Sequence, residues 1–112
     1  MLGEWLVDYV SGSGYTANGT LNVRENIGGG RFRGVLVLSF SNGGQSKRVQ
    51  QQALLTVQGS SVTVEGSDPV YLMGEGTYNA DSYSLTVGST NLMRGTNTDT
   101  RGKTGVVVIS RK

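Results

Sequence analysis

The chain predicts an all-β domain, an eight-stranded antiparallel up-and-down β-barrel, with a two-sheet β-sandwich as the alternative. Three observations predict it. Apolar and polar residues alternate at period two along most of the chain, and no 3.6-residue period develops. Glycine is abundant at 18 of 112 residues while proline occurs once, a mix suited to short strands joined by glycine turns. Eight alternating runs are separated mostly by short turn-forming stretches, and short links join antiparallel neighbours. A chain of 112 residues is a single domain, 1–112, long enough to bury a core without disulfide staples.

The strands follow in order. Residues 4–10 put Trp5, Val7 and Tyr9 on one face, and "GSG" at 12–14 turns the chain. Residues 15–24 follow with Leu21 and Val23 on one face, and "ENIGGG" at 25–30 supplies glycines for positive φ. Residues 31–41 carry Phe32, Leu36, Leu38 and Phe40, and "NGG" at 42–44 is the strongest hairpin signal. Residues 46–57 carry Val49, Ala53, Leu55 and Val57, and "QGS" at 58–60 leads to residues 61–66 with Val62 and Val64. The stretch 67–81 breaks the alternation, holds the only proline and reads as a long loop with room for a short strand inside it. Residues 82–87 carry Tyr83, Leu85 and Val87; 91–98 follow; "DTRGK" at 99–103 turns into 104–111, TGVVVISR. Closing eight such strands into a barrel removes both sheet edges. Short links favour a meander over a Greek key, which needs a long crossover.

Composition excludes several kinds of chemistry. With no Cys and no His, disulfides, thiol chemistry, Cys-based zinc sites and a Ser-His-Asp triad are impossible. The net charge is +2 and no Lys/Arg block forms, so a nucleic-acid partner is not expected. No apolar run approaches the ~18 residues of a helical membrane span. The acids are scattered singly, so no metal site, no cofactor and no catalytic pair is expected; the protein reads as a non-enzyme. "GSGYTA" at 12–17 begins like a dinucleotide fingerprint, but a strand follows where the phosphate-binding helix belongs. "NGT" at 18–20 reads as a chance sequon. No signal-peptide pattern is present, and the Ser/Thr/Asn/Gly-rich turns suit an exported bacterial protein, periplasmic or secreted, whose leader has been removed.

"GEW" at 3–5 opens the first strand and Arg111 ends the last, which in a closed barrel lies beside the first. This resembles the calycin superfamily of lipocalins, fatty-acid-binding proteins, avidins and small bacterial metalloprotease inhibitors. The resemblance rests on Gly3, Trp5 and Arg111. It implies that the indole corks the narrow end of the barrel with the guanidinium over its face, an arrangement favoured as a cation–π contact. The chain departs from each member: one Trp where avidins have several, no helical pair as in fatty-acid-binding proteins, no terminal helix as in lipocalins, and no disulfide or N-terminal arm as in the inhibitors. A generic lipocalin-like bacterial barrel is the placement the resemblance implies.

In such a barrel the connections at 11–14, 42–45, 67–81 and 99–103 share the end opposite Trp5. Tyr71, Leu72, Met73 and Tyr78 either fold over the mouth as a lid or top off the core. The lumen is lined by Val7, Tyr9, Leu21, Phe32, Leu36, Leu38, Phe40, Val49, Leu55, Val62, Tyr83 and Leu85. Eight strands enclose either a filled core or one small ligand. Gly34, Gln51 and Ala53 are small or polar positions on apolar faces. The candidate ligand-binding residues are Tyr9, Phe40, Tyr71, Met73, Tyr78 and Tyr83. Lys47, Arg48, Arg101 and Lys103 face Asp68, Glu75, Asp81 and Asp99 around the rim, and these charges are expected to cancel in solvent. Val35 and Val37, or Val106 and Val108, are outward apolar pairs, either good strand formers or a subunit contact, so monomer and dimer are both open. The first expectation is a non-enzymatic protein binding a small apolar or amphipathic molecule at the open end. The alternative is a protein-binding module with a filled core, such as a protease inhibitor or accessory subunit.

Overall fold

The computed structural model describes residues 1–11, 15–42, 44–99 and 104–112. The turn residues 12–14, 43 and 100–103 lie outside these, with the "GSG" turn, the centre of "NGG", Arg101 and Lys103. Eight strands are present: β1 (Gly3–Ser11), β2 (Thr16–Gly28), β3 (Arg31–Asn42), β4 (Gln45–Gln58), β5 (Ser61–Met73), β6 (Asp81–Ser89), β7 (Leu92–Asp99) and β8 (Thr104–Arg111). Each pairs antiparallel with the next, and β8 pairs back onto β1, giving a closed up-and-down barrel. The sandwich alternative is thereby set aside.

Strict alternation in β1, β4 and β6 sends one side chain in two into the lumen. Trp5, Val7, Leu21, Leu36, Leu55, Val62, Tyr83, Val107 and Ile109 belong to one buried cluster. All twelve expected lumen residues are buried or half-buried, with Tyr9, Phe32 and Phe40 half-buried.

Two expected boundaries are corrected. The "ENIGGG" stretch is mostly strand: β2 runs to Gly28 through register shifts at Val23/Glu25 and Asn26/Gly28, leaving a tight turn at 29–30. The long loop at 67–81 is half strand. β5 continues to Met73 beside β4, past a register shift that takes up Asp68, at φ 51°, and Pro69. A bulge absorbs residues that a regular strand could not hold and so hides the alternation. The connection proper is 74–80. β5 pairs with β6 only over Ser61–Glu65, so its upper half is carried by β4.

Candidate functional site

The two ends of the barrel are built differently. At one end Trp5 is 3% exposed and lies in register opposite both Leu21 and Arg111. The Arg111 guanidinium sits 4.1 Å from the indole ring centroid and donates from Nη1 to the Leu2 carbonyl at 2.6 Å. Trp5 Nε1 donates to the Met1 carbonyl at 2.9 Å. Gly3 has φ +114°, and a Cβ there would lie 3.0 Å from Arg111 Nη1, so glycine leaves the guanidinium its place. The indole N–H and the guanidinium of the cork both have partners.

The opposite end carries a run of rings. Tyr9 meets Tyr15 edge-on at 6.4 Å, Tyr15 meets Phe40 at 5.8 Å, Phe40 meets Tyr78 at 5.7 Å, and Tyr78 meets Tyr71 at 6.4 Å. These spacings lie in the range of favourable aromatic pairs. The run reaches from β1 across β2 and β3 to β5 and the 74–80 connection. Tyr9 lies over Gly105, where any Cβ would strike its ring. Lys47 reaches up from β4: its Nζ donates to the Glu75 carbonyl at 3.1 Å and stands 5.8 Å from the Tyr71 ring centroid. Beside the rings, a half-open groove of about 440 Å3 passes Ala17, Phe40, Lys47, Arg48 and Met73.

Beneath the rings is a polar floor. Asp81, 5% exposed, accepts from Tyr78 OH at 2.6 Å and from Gln51 Nε2 at 2.9 Å on Oδ2, and from Asn97 Nδ2 at 3.2 Å on Oδ1. Gln51 Oε1 in turn accepts from the Asp81 backbone N–H at 3.0 Å. Gly66 lets Gln51 approach, because a Cβ there would run into Gln51 Oε1 and stand 2.8 Å from the Asp81 carbonyl. The hydroxyl of Tyr83 and Oδ1 of Asn97 are buried without a hydrogen-bond partner among the described residues.

The phenols are held in their neutral form. Burial, then the charge of Asp81, then Tyr9 and Tyr71 push the Tyr15 phenol up to about 12. Tyr78 is raised by burial, by the charge of Asp81 and by the hydrogen bond it donates there. Tyr83 is raised by burial, then by Asp81 and Tyr9. A carboxylate beside a buried phenol opposes the phenolate, so these groups stay neutral, and Tyr78 donates to Asp81.

The structure brings Tyr9, Phe40, Tyr71 and Tyr78 together at the mouth and sets Tyr83 beneath them, 2% exposed. Met73 is 47% exposed and stands opposite Arg48 on the groove side, while Leu72 is 53% exposed, so the inward part of the expected lid is Tyr71 and Tyr78. The expectation that Asp81 is a solvated rim charge is corrected: it is buried and takes three hydrogen bonds. Tyr15 and Asn97 join the site without having been singled out by the sequence pattern. Both were accessible to the alternation rule, Tyr15 lying two residues before inward Ala17 and Asn97 four after inward Met93.

No protein-family model matches the chain, and no curated protein matches it. Solved structures do. A redesigned β-barrel, mFAP0, bound to DFHBI superposes with a TM-score of 0.74 at 17% identity, covering 98% of this chain and 97% of that one. A de novo designed fluorescence-activating β-barrel superposes at 0.70 with 15% identity, covering 100% and 94%. A second redesigned barrel, mFAP1, also bound to DFHBI, gives 0.68 at 18% identity, covering 98% and 94%. At these identities the likeness is one of fold: an eight-stranded antiparallel barrel resembling designed fluorescence-activating barrels.

Proposed function

We propose that this chain is a non-enzymatic binding barrel that takes a small, flat, apolar or amphipathic molecule at the end opposite Trp5. The observation that carries the reading is the run of five rings, Tyr9, Tyr15, Phe40, Tyr78 and Tyr71, standing over a buried polar floor. Flat apolar faces bind aromatic bodies, and a few polar groups below fix orientation, which is the usual composition of a small-molecule site. Two of the fold neighbours hold DFHBI, which supports the same use of the architecture. The lipocalin-like reading rests on Gly3, Trp5 and Arg111 and points the same way. The non-enzymatic reading is supported by the phenols, whose raised pKa values suit donors rather than nucleophiles or bases.

The test is titration with DFHBI, read by ligand fluorescence, together with native mass spectrometry of the purified protein for a carried small molecule. Saturable binding that weakens about tenfold or more in Tyr15→Ala with Phe40→Ala supports the site. Saturable binding indifferent to those changes places the ligand elsewhere. A protein-binding role is the second reading, favoured by the upper half of β5, where Val70, Leu72 and Met73 are 55%, 53% and 47% exposed. It predicts a partner interaction abolished by Val70→Lys with Leu72→Lys and untouched by the mouth variants.

A further inference from the structure

The polar floor lacks hydrogen-bond partners in a particular pattern. Among the described residues Tyr83 OH and Asn97 Oδ1 are buried and unmatched, and their residues are cross-strand neighbours in register on β6 and β7. Asn97 uses its amide nitrogen on Asp81 Oδ1, leaving its own carbonyl oxygen bare. A carboxylate has about four lone-pair positions. Among the described residues Asp81 has two donors on Oδ2 and one on Oδ1, so Oδ1 can accept again. Two acceptors, Asn97 Oδ1 and Asp81 Oδ1, therefore lie on hydrogen-bonded partners, and the residue in register with Asn97 carries the Tyr83 hydroxyl.

Charge is unmatched as well. A buried carboxylate is costly unless a cation or several donors compensate it. Among the described residues no Lys or Arg pairs with Asp81. Lys47, a basic side chain at the mouth, is turned to the Glu75 carbonyl and the Tyr71 ring. The negative field of Asp81 reaches Tyr15, Tyr78 and Tyr83, each of which it pushes away from ionisation after burial has done so. An incoming anion meets the same field.

We propose that the upper lumen is a cation-selective subsite that receives the amidinium or primary ammonium end of a small aromatic molecule, whose N–H groups donate to the oxygens of Asp81, Asn97 and Tyr83. The inference rests on the mouth reading and adds to it the charge of the ligand. An amidinium presents two parallel N–H groups, matched to paired acceptors, and charge-assisted bonds of this kind are the stronger ones. Aromatic faces favour a cation on its way in and hold the flat body behind it.

The experiment is calorimetric or NMR titration of the intact protein with benzamidine, benzamide and benzoate, which share one ring and differ in charge. The expected order is benzamidine tighter than benzamide by about tenfold or more, with benzoate weakest. Asp81→Asn abolishes the preference. Tyr83→Phe removes no hydrogen bond made among the described residues, so it keeps the fold and still weakens benzamidine by about threefold. That variant decides the matter if Asp81→Asn fails to fold. Equal binding of benzamide and benzamidine at a site sensitive to Tyr15→Ala overturns the charge selection and leaves the mouth reading standing. Benzoate tighter than benzamidine, or benzamidine binding unmoved by Tyr83→Phe, overturns it too. No response to any of the three defeats both readings.

Discussion

The two ends of this barrel solve the same problem with opposite means. At the closed end one indole fills the cross-section, its N–H is bonded to Met1, and Arg111 covers its face. At the other end five smaller rings share the opening over Asp81, Gln51, Asn97 and Tyr83, and among the described residues two buried polar atoms go without partners. A closure that serves only stability leaves nothing unmet. Unmet polar groups under an aromatic rim are the local inconsistency expected where a protein meets a ligand.

The comparison can be broken from either side. The largest expected effect is Trp5→Ala, which empties the cork and costs about 3–5 kcal/mol in urea unfolding followed by far-UV circular dichroism. A loss under about 1 kcal/mol would mean that the closed end is not sealed by the indole. Asp81→Ala strands the donors of Gln51, Tyr78 and Asn97 and is expected to cost about 2 kcal/mol, less than the cork because a buried charge leaves with it.

Alkaline titration sharpens the contrast further. Tyr78 and Tyr83 have folded-state pKa values raised above the ordinary 10.0. Above that pH the unfolded chain loses phenol protons that the folded one keeps. Stability is therefore fully present below about pH 10 and falls as pH rises toward the folded values, by at most about 1.4 kcal/mol per pH unit for each phenol. Tyr83→Phe should flatten that slope with little change at neutral pH, measured by unfolding midpoints across the alkaline range. The smallest effect is Arg111→Leu, about 1 kcal/mol or less because the guanidinium is exposed, with Arg111→Lys recovering part of it.

Period-two alternation was enough to read eight strands and their inner faces, and the resemblance carried by Gly3, Trp5 and Arg111 pointed to the closed end. It failed where strands bend or end. Asp68 and Pro69 look like loop residues because a bulge shifts the register there, which concealed the upper half of β5. Asp81, Tyr15 and Asn97 escaped for a related reason. Asp81 and Asn97 sit on the inward phase of their strands, Asp81 two residues before Tyr83, and Tyr15 stands just ahead of β2, two before Ala17. A polar residue at a strand end is normally surface, so only the depth of the neighbouring strands could bury Asp81 and Asn97, while Tyr15 stays 37% exposed at the mouth.

What the sequence by itself determined is the list of strands and the side of each that faces inward, because side-chain direction in a strand is a local property of the backbone. The tertiary structure alone decided which inward residues share a level. Asp81 meets Gln51 across 30 positions and Asn97 across 16, and Phe40 meets Tyr78 through the curvature of a closed sheet. Register and closure are collective, set by bulges and by the last strand finding the first, and no single stretch of chain contains them.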